Sequence, residues 1–185
     1  EALQANEAQF IALRRRFHQQ PEIGFEEHQT SNEVARLLGE WGYEVHRGLA
    51  GTGVVGTLRV GHGKKRLGLR ADMDALPIYE NSGKPWASKH PGLMHACGHD
   101  GHMAMVLGLA RRLAAGEVRP QRNVLLIFEP AEETTGGAAP ICATGLLERY
   151  HVTRVFGMHL WPELPAGVIA SRAGAMMSRS CELTV

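Results

Sequence analysis

The segment Asn123–Phe128 is a short, continuous apolar run that ends directly in Glu129-Pro130-Ala131-Glu132-Glu133. A run of that length without alternation suits a strand covered on both faces. A chain that carries such a strand must supply a layer on each side of its sheet. The remaining segments offer the material. Leu3, Phe10, Ile11 and Phe17 fall at helical spacing over residues 2–19, and Pro21 ends the pattern. A second helix is expected over residues 26–41, with Val34, Leu37, Leu38 and Trp41 on one face and Gly42 as its stop. Val54–Val60 and Arg66–Arg70 read as two strands joined by a turn at Gly61-His62-Gly63. A third helix is expected from about Asp100 to Ala115, a small one over 136–149, and another buried strand over 154–159. Two further strands are expected over 167–173 and 180–185. Residues 77–96, which hold Pro77, Pro85 and Pro91, read as irregular. This alternation predicts an α/β fold, a three-layer sandwich around a largely parallel or mixed central sheet.

The 185 residues suffice for one sizeable domain or two very small ones. With 44% hydrophobic and 21% charged residues, disorder is excluded as a description of the whole chain. Lys plus Arg is 20 against 19 for Asp plus Glu, so there is no electrostatic case for nucleic acid or an anionic membrane. No apolar run approaches the roughly 20 residues of a membrane span. Residues 1–20 are too charged for a signal peptide. The absence of Met at position 1 predicts that a few leading residues are trimmed. Cys97, Cys142 and Cys181 are odd in number and form no C-x-x-C pair, which fits reduced thiols in a cytoplasm. Ten histidines are more than usual for this length.

Four polar clusters follow strands or lie in tight loops, where open α/β sheets collect functional groups. Arg70-Ala71-Asp72-Met73-Asp74 places two carboxylates two residues apart, able to ligate a metal, orient a metal-bound histidine, or sit solvated in a turn. His95-Ala96-Cys97-Gly98-His99-Asp100-Gly101-His102 offers a thiolate and several imidazoles separated by glycines. Cys97 and His99 suit zinc, manganese, cobalt or nickel, and His95 and His102 suit supporting roles. A helix starting here would turn its N-terminal amides toward a thiolate. Glu132 and Glu133 are adjacent acids beside a hydrophobic strand, and they need a compensating cation. One can ligate it while the other faces water. The alternative is an ordinary helix start with favourable acids. His159 ends an apolar strand; a lone histidine there is either a satisfied core residue or a further ligand. Together these groups suit a two-metal site for hydrolysis of an amide or ester, with a free carboxylate as general base.

These four motifs, in this order, resemble the metal-dependent amidohydrolases related to aminoacylase and carboxypeptidase, in the hippurate hydrolase and indole-acetyl-amino-acid hydrolase branch. The matching residues are Arg70–Pro77, the highly specific run Met94–His102, Glu129–Glu133 and Met158–Pro162. Arg15–Glu22 and Gly24–Glu27 also resemble the family's N-terminal helix and turn. The resemblance implies a zinc-exopeptidase-like catalytic domain, with metal ligands at Cys97, His99, Glu133 and His159 and Glu132 as general base. Asp74 takes the position of the family's supporting carboxylate. Asp72 stands where other branches have a metal-binding histidine. The implied cofactor is a pair of divalent ions: zinc, manganese, nickel or cobalt. The implied substrate is an N-acyl amino acid or short peptide. Residues 1–174 are expected to be the N-terminal part of the catalytic domain, and residues 175–185 the start of a lid or dimerisation domain. A last metal-binding histidine and a homodimer contact through the lid would belong to the remainder.

A non-catalytic metal-binding module derived from such an enzyme is the alternative. Retention of Glu132 argues against it. A nucleotide-binding domain lacks support, because neither G-x-G-x-x-G nor G-x-x-x-x-G-K occurs. No G-x-S-x-G elbow supports a serine hydrolase.

Overall fold

The computed structural model describes residues 2–134 and 136–177. Its elements are α1 (Ala2–Gln19), α2 (His28–Glu40), β1 (Glu44–Leu49), β2 (Gly53–Leu58), β3 (Arg66–Asp72), α3 (His99–Ala114), β4 (Asn123–Glu129), α4 (Ala138–Ala143), α5 (Leu146–Arg149) and β5 (Val152–Gly157).

Every residue of β4 is buried. Its side chains alternate between two cores, as the period of a strand requires. Val124, Leu126 and Phe128 join the core built with α1, α2 and α3. Leu125 and Ile127 pack with Ile141 and Leu146 from α4 and α5 on the other face. The apolar run therefore does what its composition demands: it is the middle layer of a three-layer sandwich. Full burial of each such side chain contributes about 1.5–3 kcal/mol.

The strand order is β1-β2-β4-β3-β5. β1 pairs with β2, and β2 with β4, antiparallel. β3 runs parallel to both β4 and β5. The sheet is mixed, and the carboxyl ends of β3, β4 and β5 share one edge. Asp72 sits directly beside Glu129 in register.

Some expectations are corrected. β2 and β3 are not neighbours, because β4 lies between them. The Gly61 region is instead tied to the approach to β4: Asn123 Oδ1 accepts hydrogen bonds from the N–H groups of Val60 and Gly61. Residues 136–149 form two short helices, broken where Gly145 adopts φ 66°. β5 is not buried. It is the edge strand, and Phe156 is 50% exposed. Residues 167–173 form no strand, having no ladder partner among the described residues. The strand expected over 180–185, and Cys181, lie outside the described residues. β1, which the sequence reading passed over, is half-exposed at the opposite edge. Among the described residues no helix is long and apolar enough to cross a membrane.

Candidate metal centre

The parallel strands deliver their following loops to one place, and α3 begins there. Gly98 adopts φ 93°, a left-handed conformation that turns the backbone sharply between Cys97 and His99. His99 is buried. Its Nδ1–H donates to the Asp74 carbonyl at 2.8 Å, with the Asp74 carboxylate 3.3 Å from the same nitrogen. That pairing places a hydrogen on Nδ1, while Nε2 is buried with no hydrogen-bond partner. Around it stand Asp72 Oδ2 at 3.5 Å, Glu133 Oε1 at 3.6 Å and Glu132 Oε2 at 3.8 Å.

His159 repeats the pattern. Its Nδ1–H donates to the Leu160 carbonyl at 2.6 Å, and Nε2 lies 3.3 Å from Cys97 Sγ. The ligand atoms of Cys97, His99 and Glu133 lie within 4.8 Å of one another. Glu133 Oε1 is also buried without a partner, while the Glu133 N–H donates to Asp74 Oδ2 at 2.9 Å. Two buried polar atoms, His99 Nε2 and Glu133 Oε1, thus face each other at 3.6 Å, neither with a hydrogen-bond partner. A divalent cation fits that arrangement. The donor set of thiol, imidazole and carboxylate suits it, and each imidazole is oriented through its other nitrogen.

Asp72, His99 and His102 also lie within mutual ligand reach. The hydrogen bonds separate their roles. His102 Nδ1–H donates to Asp72 Oδ1 at 2.7 Å, and His102 Nε2 accepts from the Leu160 N–H at 2.9 Å. Both ring nitrogens are therefore spent. Asp72 Oδ2 accepts from Arg70 at 2.7 Å, and Arg70 also reaches Glu129 at 2.6 Å. Burial pushes the Asp72 carboxyl up, but the His102 hydrogen bond and the nearby His99 and Arg70 charges outweigh it and hold it at about 2. A carboxyl lowered from 3.8 on folding stabilises the fold above its unfolded value and loses that contribution as pH falls from about 4 to 2. Asp72→Asn should therefore cost about 2 kcal/mol at pH 7 and progressively less toward pH 2. Urea unfolding of both proteins across that range checks this; equal stability at pH 7 would contradict it.

The acids repel as expected. Burial and then the neighbouring Glu133 raise Glu132 above the usual carboxylate range. Burial, then a hydrogen bond and charge from Glu133, push the Cys97 thiol up to about 12, against any help from the start of α3. Without a cation the thiol keeps its proton, and a coordinating cation displaces it. Asp74 is held low: burial opposes this, but the hydrogen bond with His99 and the Glu133 N–H prevail. His95 is buried but stands apart, with neither ring nitrogen hydrogen-bonded.

Residues 68–185 match the family model described as peptidase family M20/M25/M40. The chain belongs to this family. Among relatives of this M20/M25/M40 chain, the hippurate hydrolase of Campylobacter jejuni is 43% identical over 174 residues, covering 94% of this chain and 45% of the relative. The N-acetyldiaminopimelate deacetylase of Exiguobacterium sibiricum is 39% identical over 176 residues, covering 95% and 47%. A solved structure of the Bacillus subtilis YXEP protein, described as a dinuclear metal binding peptidase from the M20 family, superposes with a TM-score of 0.82. It is 38% identical, covering 89% of this chain and 46% of that one. The chain thus spans about half the length of the relatives it matches.

Two residues of this M20/M25/M40 chain had no assigned role from sequence. Arg70 bridges Asp72 and Glu129; its position two before Asp72 on the same strand face was the available signal. Glu27 is fully buried, and its partners Thr52 and Ala131 lie far along the chain.

Proposed function

We propose that this chain carries the catalytic face of a divalent-metal-dependent hydrolase that cleaves the amide bond of N-acyl amino acids such as hippurate, giving a carboxylate and a free amino acid. The observation that carries the reading is the unpartnered pair His99 Nε2 and Glu133 Oε1, flanked by Cys97, His159 and a partly exposed Glu132. The relatives named above support the substrate class, since both names describe removal of an acyl group from an amino-acid nitrogen. Residues 1–174 as part of the catalytic domain and 175–185 as the start of a second domain belong to the same proposal.

Cys97, His99, Glu133 and His159 would hold the metal, with zinc, manganese, nickel and cobalt all suited to such donors and a pair of ions expected for the complete site. When bound, the metal supplies positive charge that polarises a substrate carbonyl and lowers the pKa of water. The protein's own residues do the rest. Asp74 fixes the His99 tautomer so that Nε2 points inward. Arg70 and His102 hold Asp72 ionised beside that ring. Glu132 takes a proton from water as its oxygen adds to the carbonyl carbon. It then returns the proton to the nitrogen as the C–N bond breaks. The raised Glu132 pKa brings it closer to the working pH for both transfers.

The test is hydrolysis of benzoylglycine with added manganese, cobalt or zinc and with a chelator. Release of glycine that needs metal and stops with chelator is expected. Bound metal with no hydrolysis of any N-acyl amino acid would favour the non-catalytic metal-binding module instead.

A further inference from the structure

Glu27 is a fully buried carboxylate that the chemistry above does not use. It stands at the N-terminal boundary of α2, yet its side chain makes no cap there. Glu22 does that work, accepting from the N–H groups of Gln29 and Thr30 and from the Thr30 hydroxyl. Glu27 points the other way. Its Oε1 accepts from the Ala131 N–H at 2.8 Å, across 104 positions of sequence, and its Oε2 accepts from the Thr52 hydroxyl.

Ala131 immediately precedes Glu132 and Glu133, and it holds φ 53°, left-handed backbone in a residue other than glycine. Such a conformation persists only where its surroundings impose it. Here they press from two sides. Glu27 holds the Ala131 N–H. Against the same residue lies Gly24, where an added Cβ would meet Ala131 Cα and Cβ at 2.9 Å and Thr134 Oγ1 at 3.1 Å. The same segment holds the neighbouring loop, because the Ala75 N–H donates to the Glu22 carbonyl at 2.8 Å, just after Asp74.

We infer that Glu27 is a positioning residue, which fixes Ala131 through its N–H and so sets where Glu132 and Glu133 point. This rests on the proposed metal-dependent hydrolase. Glu27→Leu removes both acceptors. Glu27→Gln keeps a carbonyl oxygen for the Ala131 N–H, and the Thr52 hydroxyl can rotate to accept from the amide.

The experiment loads wild type and variants with cobalt, then records the visible cobalt spectrum and, per cobalt-loaded site, kcat and KM for benzoylglycine. Glu27→Leu should lower kcat about 100-fold with KM nearly unchanged, as small misplacements of reacting groups do, and should alter the cobalt spectrum. Glu27→Gln should recover to within about fivefold of wild type, since it preserves the positioning bond. A merely structural role would reduce the yield of folded protein but leave the spectrum and kcat per loaded site as in wild type; that result overturns the inference. If Glu27→Leu does not fold, Gly24→Ala pushes the same turn from the opposite side and should show the same loss of kcat. A wild-type spectrum and kcat in Gly24→Ala then overturn it. If wild type binds cobalt but turns nothing over, the activity reading fails separately, and the spectra of the variants decide the positioning role. A wild type that binds no cobalt overturns both.

Discussion

Glu132→Ala should lower kcat for benzoylglycine by about two to four orders of magnitude while leaving bound metal unchanged, the range expected when a general base is removed. The geometry makes the effect specific. Glu132 stands 3.8 Å from His99 Nε2, at the margin of the cluster, and its side chain is 40% exposed against 21% for Glu133. Glu133 instead has its N–H fixed by Asp74 and an orphaned oxygen turned inward. In the proposed mechanism the two adjacent acids divide the work, one toward water and one toward the cation. Metal analysis alongside the kinetics separates these roles. Undiminished hydrolysis in Glu132→Ala sinks the assignment, and lost metal would transfer Glu132 to the ligand set.

With His99 as a proposed ligand, His99→Ala should weaken divalent-metal affinity by about 100-fold or more, since loss of a mere supporting group already costs 10–100-fold. Its ring is the hinge of the site, with Asp74 on one nitrogen and Asp72, Glu132 and Glu133 around the other. Removing the ring also leaves those carboxylates facing one another with one positive partner fewer. Saturating metal stabilises a protein by about 2.7 kcal/mol at one hundred times Kd. Thermal unfolding with and without cobalt should therefore show a clear upward shift for wild type and almost none for His99→Ala. Equal shifts in both would remove His99 from the ligand set.

The layers of this fold were legible where composition allows one solution. The unbroken run after Asn123 suits a doubly covered strand, and the apolar spacing of residues 2–19 and 100–115 suits a helix with one buried face. Strand order was not legible. β2 and β3 read as neighbours because they are consecutive, but β4 inserts between them, and nothing local encodes that choice. β1 escaped notice because an edge strand needs little apolar patterning, and β5 was read as buried because its apolar residues are identical in kind to those of a covered strand.

The site divides in the same way. Cys97, His99, Glu132, Glu133 and His159 stood out because their residue types are rare beside apolar runs, and the parallel strands bring them to one edge. The roles of Asp72 and His102 depend on which atoms pair, and only the hydrogen bonds distinguish a supporting group from a ligand there. Glu27 has a role that sequence cannot show, because its partner Ala131 lies 104 residues away. Helix-end amides beside Cys97 are visible in sequence, whereas the burial and nearby Glu133 charge that raise its thiol are not.

On the proposed function, Cys97, His99, Glu133 and His159 hold divalent metal between them. An anaerobic cobalt titration tests this most directly, followed through the thiolate-to-cobalt absorption. This absorption should grow to saturation in wild type, with loss of the Cys97 proton, and vanish in Cys97→Ser. No thiolate absorption in wild type, or the same absorption in Cys97→Ser, would contradict it.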